Sequence, residues 1–123
     1  MIKSVGLDIV EIARIDADVK KYGKRFVERI LGEQELNQYS SRVDKILFLS
    51  GRFAAKEAVI KGLGKFLTDK PLLTELQIIN DASGQPELQL PDRLTQQFLH
   101  ITCHISITHE KSIAAAVVIF SEE

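Results

Sequence analysis

The sequence predicts a small α+β domain, and three hydropathy patterns carry that expectation. Near the start, Val5, Leu7 and Ile9 alternate with Gly6, Asp8 and Val10, the period of a strand. Toward the end, Ile101, Cys103, Ile105 and Ile107 alternate with Thr102, His104, Ser106 and Thr108, which makes one apolar face and one row of hydrogen-bonding groups. Between them, residues 43–64 read as one long helix, with no linker or internal repeat on either side. At 123 residues the chain has room for one domain, expected over residues 1–123, with a core adequate for independent folding.

Each element follows from a local signal. Residues 2–10 form the first strand. Residues 13–22 and 24–31 are helical, with Gly23 as the break, and in the second piece Phe26, Val27, Ile30 and Leu31 make the buried stripe. A short helix over 33–40 precedes the long one, which Gly62 and Gly64 end. Thr68 to Leu73 is a loop holding Pro71. Glu75 to Asp81 and Glu87 to Leu90 pair as a hairpin about Ser83-Gly84-Gln85, and Pro91 opens a short helix over 92–99. Strands at 101–108 and 113–120, joined by His109-Glu110-Lys111-Ser112, close the chain. Ile113 to Phe120 is apolar at every position, so both faces of that strand need cover, and a subunit interface is expected over one of them.

The chemistry concentrates in the segment Gly51 to Lys61, GRFAAKEAVIK. Glu57 and Lys61 are one helical turn apart and therefore neighbours, beside Ala54 and Ala58, whose small side chains leave open space. Gly51 sits within the helix, where glycine is disfavoured by about 1 kcal/mol relative to alanine; close approach by another backbone or by a ligand would account for it. Asp8 lies inside an apolar strand, where a carboxylate has to be paired, hydrogen-bonded or bound to a cation. On the last-but-one strand, His104 and Ser106 share a face and can both donate to an anionic oxygen.

Together these segments resemble the short 4′-phosphopantetheinyl transferases, the holo-acyl-carrier-protein synthase family. The resemblance rests on Gly6-Leu7-Asp8-Ile9-Val10-Glu11-Ile12 with Arg14-Ile15; on Phe26 to Leu31 with Glu35-Leu36; on Gly51 to Ala58 with Lys61 and Gly64; and on His104-Ile105-Ser106-Ile107-Thr108-His109 with Ala114-Ala115-Ala116. A single GxD or HxS is weak; GxD, then RFxxKExxxK, then HxSxxH, in a chain of this size and in this order, is specific. It implies an antiparallel sheet packed against a long central helix, assembled as a homotrimer with active sites between protomers.

The implied activity moves the phosphopantetheine arm of coenzyme A onto a serine of an apo-acyl carrier protein, for fatty acid biosynthesis, and releases 3′,5′-ADP. A pyrophosphate substrate calls for a cation, and Mg²⁺ suits it because it is held by one or two carboxylates plus phosphate oxygens and water. The resemblance assigns that metal to Asp8 and Glu57. Larger relatives carry a third acidic ligand where this chain has Val10, so water fills that place. Lys61 is assigned to the pyrophosphate, with an ion pair to Glu57 as its alternative. Asp8, Glu57 and Lys61 make the expected catalytic set, and either Glu57 or a metal-bound water serves as general base.

Coenzyme A is expected to meet Arg52, Lys61, Gly64, His104 and Ser106, the last two from a neighbouring protomer. Two readings stand for Arg52, a nucleotide-phosphate contact and a plain helix-surface arginine. Lys56 has no role beyond solvation or a phosphate contact, and His109 either ends the motif or fixes the turn. Lys65 and Phe66 depart from the small residues common in the family after the lysine.

Net charge is −1, so the chain as a whole attracts no polyanion; with no Trp and no aromatic–basic interleaving, nucleic acid is not an expected partner. Basic residues do cluster early, and Arg14, Lys21, Arg25 and Arg29 are the expected dock for the acidic carrier protein. No apolar run approaches the ~20 residues of a membrane span, no signal peptide is evident, and the single Cys103 excludes a disulfide within the chain. The expected location is the cytoplasm. The competing functional class is a non-catalytic trimeric module of the same fold that binds coenzyme A or a carrier protein.

Overall fold

The computed structural model describes residues 1–123. Strand β1 (Ile2–Glu11) leads through α1 (Ile12–Tyr22), α2 (Lys24–Ile30) and α3 (Glu33–Ser40) to the long α4 (Lys45–Leu63). A hairpin of β2 (Gln77–Asn80) and β3 (Pro86–Gln89) and the short α5 (Asp92–Thr95) come next, then β4 (Ile101–His109) and β5 (Ile113–Glu122). β1, β5 and β4 form a three-stranded antiparallel sheet in that order, and the β2–β3 hairpin stands as a separate sheet.

On β1 it is the face of Gly6 and Val10, not the apolar set Val5, Leu7 and Ile9, that joins sheet to helix. Gly6 and Val10 on β1, and Ala114, Ala116, Val118 and Phe120 on β5, turn inward and are buried. They meet Ala54, Ala55, Ala58 and Val59 of α4, all fully buried. α4 is buried around most of its circumference, the pattern of a core helix rather than a surface one. Small residues bring the backbones together: a Cβ at Gly6 would stand 1.8 Å from the Ala58 carbonyl oxygen. The space expected beside Ala54 and Ala58 is therefore filled by β1. Gly51 does reflect a close approach, by neither backbone nor ligand but by the Ile107 side chain, 3.0 Å from where a Cβ would lie.

Several boundaries differ from expectation for local reasons. Gly62 lies inside α4 because a Cβ there would meet the Phe120 ring at 2.6 Å. Gly64 does not stop the helix in a left-handed turn; with φ −51° it continues into a 3₁₀ turn, Gly64–Phe66. The expected loop before β2 ends in another such turn, Leu73–Glu75. Pro91 caps α5 from outside; β2 is shorter than expected because the Leu73–Glu75 turn takes its start and Asp81 gathers the backbone N–H groups of Ser83 and Gln85 into a tight turn, while β3 keeps its length one residue earlier. Gly23, at φ 62°, is the break between α1 and α2.

The other face of the main sheet is bare. Val5, Leu7 and Ile9 on β1 are 55%, 56% and 58% exposed, and they pair with Ile119, Val117 and Ala115 of β5, which in turn pair with His104, Ser106 and Thr108 of β4.

Candidate functional site

β1 runs along α4 with its N-terminal end near the helix C-terminus: the Ser4 hydroxyl donates to the Gly62 carbonyl at 2.7 Å, and Gly6 abuts Ala58. Asp8, on the same inward face as Gly6, comes within reach of the last turns of α4. There Lys61 donates to an Asp8 carboxylate oxygen at 2.9 Å and to the Leu7 carbonyl at 3.0 Å. The Glu57–Lys61 ion pair, the alternative role for Lys61, is thus replaced by one that crosses between elements. The pair is wet, with the Lys61 side chain 55% and the Asp8 side chain 16% exposed. Both groups are available to an incoming anion or cation.

Glu57, half-buried one turn earlier on α4, forms none of the ion pairs in the structure. It opens onto a cleft of about 600 Å³ whose walls are α2, through Glu28 and Arg29, and the segment Lys70–Thr74. No three His, Cys, Asp or Glu side chains gather anywhere to enclose a metal, and Val10, two residues after Asp8 and offering no ligand, is buried. Two carboxylates on adjoining elements, one of them already beside a cation, match a metal that takes its remaining ligands from substrate oxygens and water. The chemistry of these donors fits Mg²⁺, and Asp8 and Glu57 are the residues that would hold it, although the cleft beside Glu57 is not lined by Asp8.

Lys56, the next residue back along α4, is where the sequence reading was wrong. It is neither solvated nor placed for a phosphate. Its side chain is fully buried, and its ammonium donates to the Ile30 carbonyl at 2.6 Å, to the Leu73 carbonyl at 2.9 Å and to the Glu35 carboxylate. Glu35, equally buried, also accepts the N–H of Gly32 at 2.9 Å and of Ile78 at 2.8 Å. Burial pushes the Lys56 ammonium below its ordinary range, and Glu35 opposes that shift. The one sequence signal for this partner was local: Glu35 at the third position of α3 bonds back to Gly32, half of a capping box.

Arg52 likewise fits neither of its two readings. It is 6% exposed, donating to the Ile78 carbonyl at 2.9 Å and to the Asn80 side-chain oxygen at 3.0 Å, with its guanidinium 4.6 Å from the Phe48 ring centroid. It ties α4 to β2 and has little left for a nucleotide. Gly64 is exposed with open space beside it. His104 and Ser106 stand on the bare face of the sheet, His104 within 3.0 Å of the Ser121 hydroxyl. That face is opposite the one carrying Asp8, so one chain does not bring them to Lys61.

Arg14 is exposed on α1. Lys21, Arg25 and Arg29 do not form a continuous stripe, since Gly23 redirects the chain. The angle between α1 and α2 nonetheless gathers them around one groove of about 580 Å³ floored by Tyr22 and Phe26.

Sheet, helix and converging residues define a transferase of a recognisable class: the chain belongs to the 4′-phosphopantetheinyl transferase superfamily, whose family model matches residues 4–118. Within that class its similarity is to the holo-[acyl-carrier-protein] synthases. The synthase of Protochlamydia amoebophila (strain UWE25) is 40% identical over 121 residues, covering 98% of this chain and 99% of that one. The crystal structure of the synthase from Neisseria meningitidis superposes with a TM-score of 0.90 at 31% identity, covering 99% of this chain and 100% of the other. That of the Bacillus anthracis str. Ames synthase in complex with CoA (3′,5′-ADP) superposes with a TM-score of 0.81 at 33% identity, covering 100% and 99%.

Proposed function

We propose that this chain, as one transferase domain, moves the 4′-phosphopantetheine group from coenzyme A to a serine of an apo-acyl carrier protein, serving fatty acid biosynthesis. The observation that carries the reading is the meeting of Asp8 and Lys61 at the wet end of β1 and α4, with Glu57 one turn away on the same helix.

In the reaction the serine oxygen bonds to the β-phosphorus, the bond to the bridging oxygen breaks, and 3′,5′-ADP leaves. Asp8 and Glu57 would hold Mg²⁺, which when bound would supply charge neutralisation at the pyrophosphate. Lys61, mobile enough to leave Asp8, contributes a second positive charge and a proton for the departing phosphate. The serine proton goes either to Glu57, in a state where that carboxylate is not holding the cation, or to a water beside it. Carrier protein, acidic in this class, docks on Arg14 and on the groove of Lys21, Arg25 and Arg29.

The reading includes a homotrimer. Val5, Leu7 and Ile9 form an apolar strip flanked by Val117 and Ile119, and water contact over such a strip is unfavourable by roughly 25 cal/mol per Å². His104 and Ser106 lie on that same face, so an interface there carries them toward a neighbour's coenzyme A. The setting is the cytoplasm; no helix is long and apolar enough to cross a membrane.

Intact-protein mass spectrometry of an apo-acyl carrier protein, incubated with this protein, coenzyme A and Mg²⁺, tests the function. The expected outcome is a phosphopantetheine mass gain that disappears with EDTA. No gain on several carriers despite coenzyme A binding would favour the non-catalytic module. Light scattering should give three times the chain mass, falling to one for Leu7→Glu.

A further inference from the structure

We propose that the buried Lys56–Glu35 pair is a positioning device for Glu57: it sets the width of the cleft into which that carboxylate opens. The inference rests on the reading of Glu57 as a metal-binding carboxylate. Lys56 and Glu57 are consecutive on α4, so one points into the core while its neighbour opens to the cleft. The cleft has two walls besides α4 itself, and Lys56 is bonded to both. One wall is α2, carrying Glu28 and Arg29, whose last residue gives Lys56 the Ile30 carbonyl at 2.6 Å. The other is the Lys70–Thr74 segment, which gives it the Leu73 carbonyl at 2.9 Å.

The third bond of the ammonium goes to Glu35, whose second oxygen takes the N–H of Ile78 at 2.8 Å and so adds β2 to the assembly. All three ammonium hydrogens are thus used, and each ends on a different segment of chain. A side chain serving stability alone has no need to bind the two segments that face each other across one cleft. Segment 67–74 has no helix or strand of its own before the turn at Leu73, so the bond at Leu73 is one of the few that hold that wall, beside those of Glu75 to Leu72 and Arg93. Groups that orient a metal-binding carboxylate commonly change affinity or activity 10–100-fold when removed.

The test uses the pair variant Glu35→Gln/Lys56→Met, which leaves no lone charge in the core, its fold checked by circular dichroism and its melting temperature. Leu94→Ala, a buried residue of α5 that does not line the cleft, serves as a variant of reduced stability. Mn²⁺ is titrated into each protein with coenzyme A present, against a blank of coenzyme A alone, and free Mn²⁺ is read by electron paramagnetic resonance below every melting temperature. The pair variant should bind Mn²⁺ about tenfold or more weakly, with the Leu94→Ala protein unchanged. Lys56→Arg, which keeps the charge and the donors, should recover much of the affinity. Wild-type affinity in the pair variant overturns the proposal, as does an equal loss in Leu94→Ala. A wild-type protein that neither binds Mn²⁺ nor modifies a carrier overturns the underlying reading as well; one that does both while the pair variant matches it overturns only the positioning role.

Discussion

Lys56 and Lys61 share one helix, and each meets a carboxylate from another element, yet they have opposite consequences. Lys56 and Glu35 are both fully buried; Lys61 is more than half exposed and Asp8 is at the rim. In a dry site each charge loses its hydration, so every hydrogen and lone pair must find a protein partner. The Lys56 ammonium meets that demand with two carbonyls and a carboxylate, which leaves no capacity for a substrate. In a wet site the pair is weak, commonly worth only about 0.2–1 kcal/mol, and its members can be exchanged for a phosphate or a metal. Solvent, rather than residue type, separates the structural lysine from the one suited to chemistry.

The largest effect is expected at Lys56. Lys56→Ala should lower the unfolding free energy by about 3–5 kcal/mol, because Glu35 is left charged and unpaired in the core. Urea denaturation measures this, and a loss under ~1 kcal/mol, the range of an exposed pair, would remove the distinction. At Lys61 the order reverses. Lys61→Ala should reduce kcat by roughly 10²–10³-fold, the scale for removing one group that stabilises charge in a transition state, while the melting temperature barely moves. Salt sharpens the contrast: at about 1 M the screening length is ~3 Å, so the coupling between Lys61 and Asp8 in a double-mutant cycle should vanish while that between Lys56 and Glu35 persists.

A smaller effect is expected at Cys103, a third ionisable group that burial controls. Burial pushes its thiol from 9.0 up to about 12. Below pH 9 the thiol is protonated in the folded and unfolded chain alike and contributes nothing to pH dependence. Between those values the folded protein keeps a proton that the unfolded chain releases, so stability falls as pH rises through that window. Iodoacetamide at pH 8 should label the native protein slowly and the urea-unfolded protein fast; equal rates would place the thiolate in solvent.

What could be read ahead of the structure follows the range of the forces involved. Hydropathy periods located the strands and long helix because burial of alternate residues is a local consequence of strand and helix geometry. The motif Arg52-Phe53-Ala54-Ala55-Lys56-Glu57 was legible as a string, but its two cations were misread. Nothing within a turn of Arg52 or Lys56 shows that β2, the α2 terminus and the turn at Leu73 will close over them. Glu57 and Lys61, four apart, invited an ion pair by the helix rule, but Asp8 outcompeted Glu57 once β1 was laid along α4.

From the sequence alone came the α+β domain of the phosphopantetheinyl transferase type, together with the expectation that Asp8, Glu57 and Lys61 are its reactive set. Composition, period and motif order are properties of the chain alone. Only the tertiary structure decided which lysine is dry, which carboxylate is left without a partner, that three basic side chains from two helices share one groove, and that His104 and Ser106 face away from Asp8. Those are matters of water exclusion and of which sheet face a residue occupies, and both are settled only when distant segments pack.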